Sequence, residues 1–94
     1  MNLNAEQLEM VEEMAGLFFS PEDIAICLEF SELESNEFVE GVTFKATRQP
    51  IVAFYLRGWL SGEVTLRKAI KQAALNGSSP SQQQLLNFQK ENRK

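Results

Sequence analysis

Histidine is absent from this 94-residue chain, cysteine occurs once, and no Lys or Arg precedes Lys45. The missing imidazole removes the commonest general base, the commonest metal ligand, and every Ser-His or Cys-His nucleophile. A single cysteine, Cys27, excludes an internal disulfide and suits a reducing compartment, so a cytoplasmic protein is expected. No apolar run approaches the ~18–20 residues needed to span a bilayer. Met1-Asn2-Leu3-Asn4 has neither the basic segment nor the apolar core of a signal peptide. These absences predict a chain that is not an enzyme, with no cofactor, no metal, no membrane association and no small-molecule ligand.

With 44% hydrophobic and 23% charged residues and ordinary Gly and Pro, the chain reads as globular rather than disordered. Its length suits one small domain. We expect a single helical domain over 1–89, divided into an acidic part (1–46) and a later part (47–89), with 90–94 as a frayed polar tail. The net charge of −4 conceals a sharp division: residues 1–44 hold eleven acids and no base. Residues 45–94 hold all nine bases and only Glu63 and Glu91 as acids, so the halves carry −11 and +7. Three readings stay open: the halves neutralise each other within one fold, subunits associate head to tail, or the C-terminal half holds a polyanion.

Helix signals dominate. Asn4 and Gln7 form a capping-box pattern ahead of Leu8, Val11, Ala15 and Phe18 at helical spacing, with Gly16 as a stop. Ser20-Pro21-Glu22-Asp23 opens a second helix with a cap, a first-turn proline and two acids facing the positive end of the dipole. This helix is expected to continue through Phe30, with Phe19 packing on Ile24 as a staple and Cys27 on its apolar side. Residues 31–48 are ambiguous: Ser31-Glu32-Leu33-Glu34 and Ser35-Asn36-Glu37 both look like helix starts. Phe38, Val39 and Val42 fit a short helix, favoured here over about 35–45, whereas Phe38, Glu40, Val42 and Phe44 alternate as in a strand. Gln49-Pro50 then marks a boundary.

A long fourth helix is predicted over about 49–76, closed by Gly77. Val52, Leu56, Trp59, Leu66, Ile70 and Ala73 form an apolar seam for helix packing or oligomer contact, interrupted by Glu63. At ~1.5 Å per residue the helix is about 40 Å long. A compact domain of this size has a diameter of only ~30 Å, so the helix must project or bend. Gly58 and Gly62 share one face, where close packing against another helix is favoured over a mild kink. Ser79-Pro80-Ser81-Gln82 opens a fifth helix, whose Leu85, Leu86 and Phe88 would fold back on the fourth.

In this order the motifs are Glu6-Gln7 through Ala15-Gly16, Ser20-Pro21-Glu22-Asp23-Ile24-Ala25, Tyr55-Leu56-Arg57-Gly58, and Ala74-Leu75-Asn76-Gly77 before a final amphipathic helix. So arranged, nearly the whole chain resembles phage and prophage helix-turn-helix proteins related to small terminase subunits. The resemblance implies an all-α fold with three helix-turn-helix-like helices, a long helix and a short C-terminal helix packed back on it. It also implies an oligomeric DNA-binding or DNA-packaging accessory role with duplex DNA as partner. In such proteins the helix after the Ile-Ala helix enters the major groove. This chain departs there, with Glu29 and Phe30 at the place of the usual turn glycine and with Glu37 and Glu40 on the reading helix. Phosphate binding needs Lys and Arg. The expected DNA contacts are therefore Arg57, Arg67, Lys68 and Lys71, with Lys90, Arg93 and Lys94 in the tail. The competing reading is a protein-interaction or assembly module that self-associates through the seam and binds no nucleic acid.

Overall fold

In a computed structural model describing residues 2–77 and 79–91, the chain is all-α, with five helices and no strand among those residues. The helices are α1 (Ala5–Gly16), α2 (Pro21–Cys27), α3 (Glu32–Thr43), α4 (Pro50–Leu75) and α5 (Ser79–Glu91). No helix among the described residues is long and apolar enough to cross a membrane.

Three of the starts are closed by side chains that satisfy amide groups lacking an intrahelical partner. Asn4 Oδ1 accepts from Gln7 N at 2.8 Å, while Gln7 Oε1 accepts from Asn4 N at 3.0 Å. Ser20 Oγ accepts from Asp23 N at 3.2 Å ahead of the Pro21 turn. Ser31 and Glu34 form a second reciprocal box, at 3.2 and 3.0 Å. The amide of Ser31, then its hydroxyl, holds the Glu34 carboxyl below the ordinary glutamate value.

That second box corrects the expected start of the third helix. The helix runs from Glu32 to Thr43 rather than over 35–45, because Ser31 caps it a turn earlier than the Ser35 signal would. Phe38 is fully buried and Glu40 exposed, as a helix requires.

The ends of the first three helices share one device. Phe18, Glu29 and Lys45 have left-handed φ values of 67, 58 and 53°. The next residue in each case donates its amide back into the last turn: Phe19 to Met14 O, Phe30 to Ala25 O, Ala46 to Gly41 O. Glycine normally takes this position, because a side chain there costs ~1–2 kcal/mol. The reversal at Glu29 also stops α2 at Cys27, short of the expected Phe30. In so short a helix the buried arc is filled by Ile24 and Ala25, with Leu28 beside them. Cys27 lies outside that arc and is exposed, against its expected place in the core.

By contact density the chain forms two compact units, Met1–Gly62 and Glu63–Lys94, so the division falls within α4. The first unit packs α1, α2 and α3 with the first half of α4. Its core is Val11, Ala15, Ile24, Ala25, Phe38, Ile51, Val52 and Tyr55. Phe38 stands edge-on to both Phe30 and Tyr55, with centroids 6.1 and 5.7 Å apart. Tyr55 then donates its phenol to Phe19 O at 3.1 Å, tying α4 to the α1–α2 turn.

In the second unit α5 folds back on the latter part of α4. Ile70 and Ala74 are buried, and Gln82 Nε2 donates to Ala74 O at 3.0 Å, capping a carbonyl of the last α4 turn. Gly77, at φ 91°, makes the turn. Lys90 and Glu91 are helical rather than frayed, while the expected tail beyond them, with Arg93 and Lys94, lies outside the described residues.

Candidate interaction surfaces

The two glycines of α4 stand where it crosses α1. A Cβ built on Gly58 would overlap the Glu12 carbonyl oxygen and lie 2.8 Å from its carbon. One on Gly62 would overlap the Gly16 oxygen and lie 3.0 Å from its carbon. Only residues without side chains allow two helix backbones to meet this closely. The same crossing brings Arg57 Nε to 3.0 Å from Glu12 Oε1, and the Arg57 guanidinium sits 4.4 Å above the Phe54 ring.

Arg67, the second arginine of the expected nucleic-acid surface, is similarly engaged. Its Nε lies 3.2 Å from Glu63 Oε2, its Nη2 lies 3.9 Å from Glu91 Oε2, and its guanidinium is 4.2 Å above the Phe88 ring. Lys68 and Lys71 differ. Both are exposed, and neither has a carboxylate partner among the described residues. The four basic candidates therefore separate into two occupied arginines and two open lysines.

The expected seam also separates. Val52 and Ile70 are buried and Leu56 is half-buried, but Trp59 and Leu66 are exposed, so the seam is not one continuous buried stripe. Trp59 lies on a groove of about 390 Å³, lined by Val42, Lys45, Tyr55, Leu56, Trp59 and Leu60. Phe18 meets Trp59 edge-on at 5.4 Å, placed there by its left-handed backbone. The groove thus joins the end of α3 to α4.

Val42, Lys45 and Leu60 were not legible as site residues. The one available signal was Leu60, four residues after Leu56, which broadens the apolar stripe beyond what one packed face needs.

The helix that the sequence resemblance makes the groove reader is α3, and it packs against α2. Its outward residues include Leu33, Glu37 and Glu40, all exposed, as is Phe44 at its C-cap. Counted by unit, residues 1–62 hold eleven acids and three bases, −8, and residues 63–94 hold two acids and six bases, +4. No family model matches the chain, and no curated protein or solved structure does either.

Proposed function

We propose that this chain is a helical assembly module that works by binding protein, first of all further copies of itself. The observation that carries this reading is the open groove at Trp59, where a tryptophan and Leu60 remain exposed on a well-formed helix beside half-buried Leu56. Large apolar side chains grouped on one surface mark contact sites more often than solvated ones. The division into an acidic and a basic unit supports the same reading, because oppositely charged patches steer and orient association.

Sedimentation velocity over a wide concentration range tests it. We expect a dimer or larger species at micromolar protein, with a blue shift in the emission of Trp59, the sole tryptophan. A strict monomer up to millimolar concentration, with unshifted emission, would overturn the proposal.

A second reading keeps the duplex-DNA role implied by the likeness to phage packaging proteins. It is favoured by one observation, the two open lysines at positions 68 and 71. Fluorescence anisotropy should then show binding that weakens with salt by about 0.9 log units per phosphate contact for each log unit of salt. That binding should be lost in Lys68→Glu/Lys71→Glu. The absence of binding at low salt would sink this reading.

A further inference from the structure

Two exposed stripes of this chain have the same spacing and opposite charge. On α3 the stripe is Leu33, Glu37 and Glu40, continued by the C-cap residue Phe44; on α4 it is Val64, Lys68, Lys71, Leu75. Each advances by four, three and four residues, which keeps all four positions on one helix face. Each places two like charges between two apolar ends.

None of these ends belongs to the core of its own unit. Leu33 and Phe44 are 78 and 74% exposed, and Leu75 and Val64 are 70 and 51% exposed. The buried positions of the same helices lie elsewhere, at Phe38 and at Ile70 and Ala74. The four charged residues are exposed as well, and none has an ion-pair partner among the described residues. Beside Glu37, Glu40 and Phe44 a hollow of about 300 Å³ leaves room for a long side chain along the stripe.

We infer that the α3 stripe of one copy docks on the α4 stripe of a second copy. Glu37 and Glu40 face Lys68 and Lys71, and the apolar ends close over the charged centre. This inference rests on the self-association reading and gives it a contact separate from the Trp59 groove. The four-three-four pattern is the same in both directions, so the pairing forms with the helices parallel or antiparallel.

Exposed ion pairs contribute little individually, and apolar contacts that exclude water strengthen their attraction while raising the cost of desolvating them. Their main effect is on choice of partner: α3 against α3, or α4 against α4, would oppose like charges. The contact joins two different patches, so copies either exchange it twice and close, or continue from one copy to the next.

Charge reversal tests this. Glu37→Lys/Glu40→Lys and Lys68→Glu/Lys71→Glu should each keep the wild-type helical circular dichroism, because all four positions are exposed. Each should weaken self-association by roughly tenfold or more in sedimentation equilibrium at low salt. The quadruple variant, with both stripes reversed, should recover it. Reversal variants that associate as tightly as wild type would overturn the stripe pairing and leave self-association standing. So would a quadruple variant no tighter than the double variants. A wild type that is monomeric alone but assembles on duplex DNA would overturn both proposals and give the lysines to phosphate.

Discussion

Gly58→Ala is the most direct probe of how the first unit is held together. The added Cβ would lie 2.8 and 2.9 Å from the carbonyl carbon and Cα of Glu12, besides overlapping its oxygen. Non-bonded carbons rest at about 3.5–4.0 Å, so α1 and α4 must part by close to 1 Å. The obstacle is backbone, so no rotamer change relieves it. A separation of that size forfeits between a quarter and a half of the dispersion energy along the crossing.

Overpacking of this kind costs ~1–3 kcal/mol, and a rigid obstacle puts Gly58→Ala near the upper end. Alanine returns ~1 kcal/mol of helix propensity. The net loss is about 2 kcal/mol, which lowers Tm by about 8–16 °C for a domain of this size. Gly62→Ala, with contacts of 3.0 and 3.1 Å to Gly16 carbons, should cost somewhat less. Gly16→Ala meets a single atom, Gly58 O, at 3.3 Å and should be close to neutral. Urea and thermal unfolding followed by circular dichroism measure the order. A Gly58→Ala protein as stable as wild type, or a Gly16→Ala loss matching it, would refute the close crossing as a source of stability.

Two further outcomes follow from the turns. Glu29→Gly should raise stability by up to about 1 kcal/mol, because it relieves a left-handed side chain at the α2–α3 turn and its cost is only added freedom in the unfolded chain; a lower urea midpoint would contradict the helix-ending role of Glu29. Burial, with the Glu22 carboxylate second, raises the Tyr55 phenol above its ordinary 10.0. A raised folded-state value means the stabilisation is complete below pH 10.0 and is lost as pH climbs through the folded value. Tyr55→Phe should cost about 1 kcal/mol near neutrality and remove that alkaline decline, and an unchanged decline would assign it to another group.

The elements that were legible in the sequence are those with chemistry at their ends. Asn4 with Gln7, Ser20 with Pro21, and Gly77 each carry a local reason to start or stop a helix, and α1, the start of α2 and the end of α4 follow them closely. What escaped was the helix ending without glycine. Phe18, Glu29 and Lys45 adopt a conformation that local preference opposes, and tertiary packing supplies the difference. This is why α2 was read three residues too long and Cys27 placed inside. At Ser31 two start signals competed, and the reciprocal bond with Glu34 decided between them. Burial along α4 was only partly readable, because periodicity marks which residues could be covered but not whether a neighbour covers them. Val52 and Trp59 lie on one stripe, yet Val52 is fully buried while Trp59 has the Phe18 ring against it and stays partly open.

On the proposed reading, the place of α3 in the fold and the chemistry of its surface point to different partners. By the helix-turn-helix likeness α3 would be the groove reader, but phosphate repels Glu37 and Glu40, and a unit of charge −8 surrounds them. Within a Debye length of ~8–10 Å at ordinary salt, that repulsion has no compensating cation on α3 itself. Of the four expected phosphate contacts, the open ones are Lys68 and Lys71, in the other unit. Glu12 holds Arg57 at the α1–α4 crossing, and Glu63 and Glu91 hold Arg67 on α4 and α5, so both guanidinium charges already have internal carboxylate partners. The surface left to α3 is acidic with apolar ends, and the partner it suits is basic with apolar ends. The chain itself provides that partner, at matching spacing, from Val64 to Leu75.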